Sequence, residues 1–131
     1  MDVERVETKL RSMDKVAEMT GPEIVSHLDY LRQTLAETTY ELRKAKDKMN
    51  EIEAETYLRV SQETGENGKP KYSNETLRQK ATVKELSENK DYIDARAYLY
   101  LLEYLKDKIT GKIATLKDAL SILSDVNEGG S

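Results

Sequence analysis

Residues 21–63 read GPEIVSHLDYLRQTLAETTYELRKAKDKMNEIEAETYLRVSQE, and this stretch decides the fold. Within it Ile24, Leu28, Leu31, Leu35, Thr38, Leu42, Ala45, Met49, Ile52 and Thr56 alternate steps of four and three. That spacing keeps one stripe of a long helix facing a partner helix. A matching stripe runs through Ala95, Tyr98, Leu102, Leu105, Ile109, Ile113, Leu116, Leu120 and Leu123. Between the two lies Thr64-Gly65-Glu66-Asn67-Gly68-Lys69-Pro70-Lys71, whose glycines and proline break a helix. The chain therefore reads as all-α: an elongated antiparallel helical hairpin, coiled-coil-like, with a short N-terminal helix packed at its base. A 40-residue helix is about 60 Å long. A compact globule of this chain length has a radius of gyration of only about 14 Å. Such a shape suits assembly or binding better than it suits enclosing an active site.

The expected boundaries follow from local signals. Residues 1–128 form a single helical domain: helix one over about 2–19, helix two over 21–63, the turn over 64–72 and helix three over 74–126. Helix one carries Val3, Val6, Leu10, Met13 and Ala17 on one face. Thr20 and Glu23 have the spacing of a capping box, with Pro22 in the first turn of helix two. Ser73 is the expected N-cap of helix three, with Tyr72 and Leu77 as a hydrophobic staple. Helix three is expected to loosen near Ser87-Glu88-Asn89. Gly129-Gly130-Ser131 reads as a flexible tail or expression scar.

Composition narrows the function. Charged residues make up 35% and aromatics 6%, every aromatic a tyrosine, which fits long solvated helices rather than a large globular core. Absence of cysteine excludes disulfides and thiolate metal sites and favours an intracellular setting. No apolar run reaches the ~18 residues of a membrane span. His27 is the lone histidine and has no second ligand beside it in sequence. Gly65, Gly68 and Lys69 lack the order of a phosphate-binding loop. Glu51, Glu53, Glu55 and Asp47 read as solvated carboxylates. With no catalytic constellation, metal set or cofactor motif, the chain is expected to be non-enzymatic.

Charge is unevenly spread around a net −4. Residues 43–50 hold Arg43, Lys44, Lys46 and Lys48 against Asp47 alone. Residues 66–84 hold Lys69, Lys71, Arg78, Lys80 and Lys84 against Glu66 and Glu75. Residues 1–42 are acidic, with five basic side chains against nine acidic ones. A positive zone repeated around an assembly would attract phosphates although each chain is acidic. Tyr57 and Tyr72 lie close enough to this zone in sequence to stack on bases. The run Ala97-Tyr98-Leu99-Tyr100-Leu101-Leu102-Glu103-Tyr104-Leu105 is apolar or tyrosine nearly all round, more than one seam needs. Either helix one covers its second face or a second subunit does. The expected interface residues are Tyr98, Tyr100, Leu101, Tyr104 and Leu105.

Helix three resembles UvsY, a family of phage recombination mediators, at Leu86-Ser87, Lys90-Asp91, Leu99, Leu105, Asp107, Gly111 and Lys117, with Ile52-Glu53-Ala54 upstream. The resemblance covers about half the chain. It implies a non-enzymatic factor that forms a homo-oligomeric ring, heptameric in the family, and binds single-stranded DNA. It further implies help in loading a RecA-like recombinase in place of single-strand-binding protein, in the host cytoplasm if the chain is phage-encoded. The family carries a basic cluster before the turn, of which Glu55-Thr56-Tyr57-Leu58-Arg59-Val60 keeps Arg59. Arg59 comes from the resemblance as a DNA contact; Lys69, Lys71, Arg78, Lys80 and Lys84 come from charge clustering. The alternative is an acidic helical phage inhibitor or adaptor that binds a protein such as a host defence nuclease.

Overall fold

The structure, a computed structural model, describes residues 1–129. Among these residues there are four α-helices, α1 (Val3–Arg11), α2 (Gly21–Gln62), α3 (Glu75–Glu88) and α4 (Lys90–Gly129), with a 3-10 turn at Val16–Glu18. The two long helices α2 and α4 pack against each other as the expected hairpin, and α1 is the short N-terminal helix. The chain forms two compact units, one from residues 1–42 with residues from 101 onward, the other from residues 43–100.

In the first unit, Ile24, Leu28 and Leu31 of α2 meet Leu105, Ile109 and Leu116 of α4, and Val6, Leu10 and Met13 close the third side. Each buried leucine or isoleucine contributes about 1.5–3 kcal/mol. Of the apolar run only Leu105 joins this cluster with α1, while Tyr100, Leu101 and Tyr104 stay exposed, so the expected cover by helix one reaches just the end of the run. Polar seam positions are satisfied locally. Thr38 is fully buried, and its hydroxyl donates to the Thr34 carbonyl at 2.7 Å. Thr34 donates in the same way to Tyr30, at 2.8 Å.

In the second unit the seam is finer-grained. Ala45, Thr56 and Val60 of α2, Thr82 and Leu86 of α3, and Ala95 and Leu99 of α4 are its buried residues. The Tyr92 hydroxyl donates to Glu53 Oε1 at 2.8 Å, tying α4 to α2. Burial, then this bond to the carboxylate, pushes the Tyr92 phenol above its ordinary value.

Helix ends follow their caps, and three differ from expectation. Helix one ends at Arg11, not near residue 19. Met13 N donates to the Leu10 carbonyl at 3.0 Å and Asp14 N to Arg11 at 3.2 Å, tightening the chain so that Met13 turns fully into the core. Asp14 then meets Lys112 of α4 at 2.8 Å, and that hydrogen bond and charge hold its carboxyl below the ordinary aspartate value. The cap of α3 is Asn74 rather than Ser73: its Oδ1 accepts from Leu77 N at 2.9 Å, which displaces Tyr72 from the staple position. Helix three is two helices. Asn89 is extended, its N–H donates to the Leu86 carbonyl, and its Oδ1 accepts from Tyr92 N at 3.1 Å, so one side chain caps α4 where the backbone of α3 stops. Thr20 does cap the start of α2, Glu23 N donating to Thr20 Oγ1 at 3.3 Å, but the Glu23 carboxylate accepts from the Thr20 hydroxyl, at 3.2 Å, where the expected box has it accept from the backbone N–H. Of the expected tail, Gly129 closes α4, while Gly130 and Ser131 lie outside the described residues.

These contacts set two expectations for thermal or denaturant unfolding. Ile109→Ala removes a fully buried side chain at the meeting point of three elements and should cost about 2–5 kcal/mol. Thr38→Val keeps the shape and removes a hydroxyl whose partners are the Thr34 carbonyl of its own helix and, at 3.7 Å, the weak acceptor Met1 Sδ, so its stability should stay within about 1 kcal/mol of wild type.

Candidate nucleic-acid interface

All six expected DNA contacts lie in the unit of residues 43–100, around the connection from α2 to α3. That connection is tied by backbone bonds. Thr64 and Pro70 form an antiparallel bridge, Gly65 N donates to the Lys69 carbonyl at 2.7 Å, and Lys71 N donates to Glu63 at 2.9 Å. Gly68 sits at φ +73, the left-handed region in which a side chain is strained, and so reverses the chain. Asn67 Oδ1 accepts from Lys69 N at 3.1 Å across the same reversal. Lys69 is thereby held on an exposed, hydrogen-bonded turn.

The six cations divide by their partners. Arg59, the residue taken from the resemblance, donates through Nη2 to Glu85 Oε2 of α3 at 2.6 Å. Its guanidinium is therefore already engaged by a carboxylate. Lys71 lies 3.6 Å from Glu63 and 5.5 Å from the Tyr72 ring. Tyr72 first, and Glu63 after it, hold the Lys71 ammonium above the ordinary lysine value. Arg78 is half-buried, its Nη1 donating to the Tyr72 carbonyl at 3.4 Å. Lys80 and Lys84 are exposed and one helical turn apart on α3. They point away from Thr82 and Leu86, whose side chains are buried. Arg43, Lys44, Lys46 and Lys48 are likewise exposed along α2. Tyr57 and Tyr72 are each half-buried. Of the six, Lys69, Lys80 and Lys84 thus present their charge most openly, whereas Arg59 and Lys71 are paired with Glu85 and Glu63.

The expected subunit-interface residues also divide. Tyr100 and Tyr104 are more than half exposed, and Leu101 is 39% exposed. Lys108 Nζ lies 4.6 Å from the Tyr104 ring, and the hydrogen bond to Tyr104 raises its pKa. Tyr98 is half-buried. Leu105 is fully buried in this chain's own core, against α1 and α2 elements, and holds the fold together rather than facing outward.

Sequence reading missed the ion pair of Arg59 with Glu85 and the bond of Tyr92 with Glu53. Both depend on the register of one helix against another, for which a single chain carries no direct signal. It also stopped the seam at Thr56, although Val60 continues it by a step of four and is fully buried. No protein-family model matches the chain, and neither a curated protein nor a solved structure matches it.

The turn geometry is testable by calorimetry. Nothing lies within 4 Å of a Cβ added at Gly68, so the cost of a side chain there is purely conformational. Gly68→Ala should destabilise by about 1–2 kcal/mol, and Gly68→Asn by less, because asparagine tolerates this region. Arg59→Gln, which breaks an exposed pair, should cost no more than about 1 kcal/mol.

Proposed function

We propose that this chain is a non-enzymatic recombination mediator that binds single-stranded DNA as a homo-oligomer. In this role it helps load a RecA-like recombinase in place of single-strand-binding protein. The observation that carries the reading is the placement of Lys69, Lys80 and Lys84, exposed on one unit of an otherwise acidic protein. Residues 43–100 hold twelve basic against eleven acidic side chains, while the rest of the chain holds nine against fourteen. The resemblance of α4 and the end of α3 to UvsY supports the same reading. Exposed Tyr100, Leu101 and Tyr104 on α4 supply apolar surface through which copies can associate. A single chain offers few phosphate contacts, so binding is expected to depend on assembly. No feature offers base-edge readout, so it is expected to be indifferent to sequence. Among the described residues no helix is long and apolar enough to cross a membrane.

Acidity of the other unit favours one competing reading, an adaptor or inhibitor that binds a protein. Fluorescence anisotropy with a labelled oligothymidylate separates the two. The mediator reading expects binding at low salt that falls steeply as salt rises, with a log–log slope of about −0.7 for each phosphate neutralised. Changing Lys69, Lys80 and Lys84 together to glutamate should abolish binding without altering helix content. Absence of binding by the wild-type chain at low salt would remove the mediator reading and leave the adaptor.

A further inference from the structure

The unit of residues 1–42 and 101 onward contains an apolar groove of about 360 Å³. Val16, Ala17 and Met19 form one wall, Ala119, Ile122 and Leu123 of α4 form the other, and Ile24 contributes to its lining. Ile24 is fully buried, whereas Ile122 is 62% exposed and Val126, one turn further along α4, is 63% exposed. Val25 next to Ile24 is exposed as well. The apolar surface therefore continues out of the groove instead of closing over it, and grooves of this kind take apolar side chains of a partner.

Charge around the groove selects the partner. Asp118 and Asp125 stand four residues before and three after Ile122, so both flank it on the surface of α4, and both are exposed. Glu18 is exposed beside Ala17, and Glu23 is exposed beside Ile24. The nearby cations compete less. Lys117 is five positions from Ile122 and lies well round the helix from it, at 100° per residue. Lys15 precedes Val16 as the one exposed cation on the other wall. Glu23 is engaged by the Thr20 hydroxyl, which leaves Asp118, Asp125 and Glu18 beside the apolar lining to repel an anionic lipid surface or a nucleic-acid strand and attract lysine or arginine.

We propose that this groove docks a basic amphipathic helix of a partner protein, its leucine-type side chains entering between Met19 and Ile122 and its lysines or arginines meeting Asp118, Asp125 and Glu18. Anchors at i, i+3 or i+4, and i+7 would match a helix laid in a groove. The site uses none of the lysines assigned to DNA, so it stands or falls separately from the mediator reading.

The test is anisotropy with a labelled peptide of about fourteen residues, roughly four turns, carrying leucines on one face and lysines on both flanks. Its counterpart has glutamates in place of the lysines. The lysine peptide should bind the full chain, less tightly as salt rises, and the glutamate peptide should not. Ile122→Ser should weaken binding about tenfold or more, the loss of one apolar anchor. Because Ile122 is largely exposed, the fold should survive, as circular dichroism would verify. Asp118→Asn with Asp125→Asn should weaken binding and flatten its salt dependence. Equal binding of both peptides, no binding, or indifference to these substitutions would overturn the proposal. So would a concentration-dependent rise in the mass of the protein alone that Ile122→Ser abolishes, since a second copy would then be the occupant.

Discussion

Packing of Ile24, Leu28 and Leu31 against Leu105, Ile109 and Leu116 is the constraint from which the rest follows. Neither α2 nor α4 can bury its stripe alone, and an isolated helix gains little stability in water from propensity. Once the two stripes meet, α4 still has an apolar side uncovered. Val6, Leu10 and Met13 fill it, and this forces the early end of α1. The Met13 turn in turn brings Asp14 to Lys112. That pair acts with the expected sign: a depressed aspartate stabilises the folded state above its ordinary value and ceases to do so as pH falls through the lowered one. On an exposed carboxylate this is a minor addition to apolar packing.

The second unit is built differently. Four of its seven buried residues are alanine or threonine, whereas Thr34 and Thr38 are the exceptions among leucine, isoleucine, valine and methionine in the first unit. Polar ties take a larger share there: Tyr92 to Glu53, Arg59 to Glu85, and the double cap at Asn89. Such ties fix register more than they add stability. They also leave the outer side of α3 to Lys80 and Lys84, which no packing requirement places there.

Much of this was legible in the sequence, and the reasons are specific. Steps of four and three through Ile24–Thr56 and Ala95–Leu123 map onto one face of a helix, so the hairpin and most of its core could be read directly. A loosening at Ser87-Glu88-Asn89 was visible as a polar interruption, but the full break into two helices, which Asn89 makes by capping α4, was not. The end of α1 was not visible: Met13 and Ala17 keep the helical spacing although the backbone leaves the helix at Ser12. Ser73 and Asn74 are both competent caps, and only the backbone at Asn74 decides between them. At the candidate site, clustering of lysines could be read, but the engagement of Arg59 by Glu85 could not. The exposed groove at Ile122 was hidden for the same reason. Ile122 falls beside the seam residue Leu123 and gives no sign in one dimension of what lies across from it.

In the proposed mediator, assembly and strand binding would be joined, because the open cations proposed as contacts in one chain, Lys69, Lys80 and Lys84, are few. Native mass spectrometry at low ionic strength, with and without a short oligothymidylate, measures both together. The proposed mediator should be a homo-oligomer that takes up the strand as a complex of defined stoichiometry. A monomer whose mass is unchanged by the oligonucleotide would contradict it.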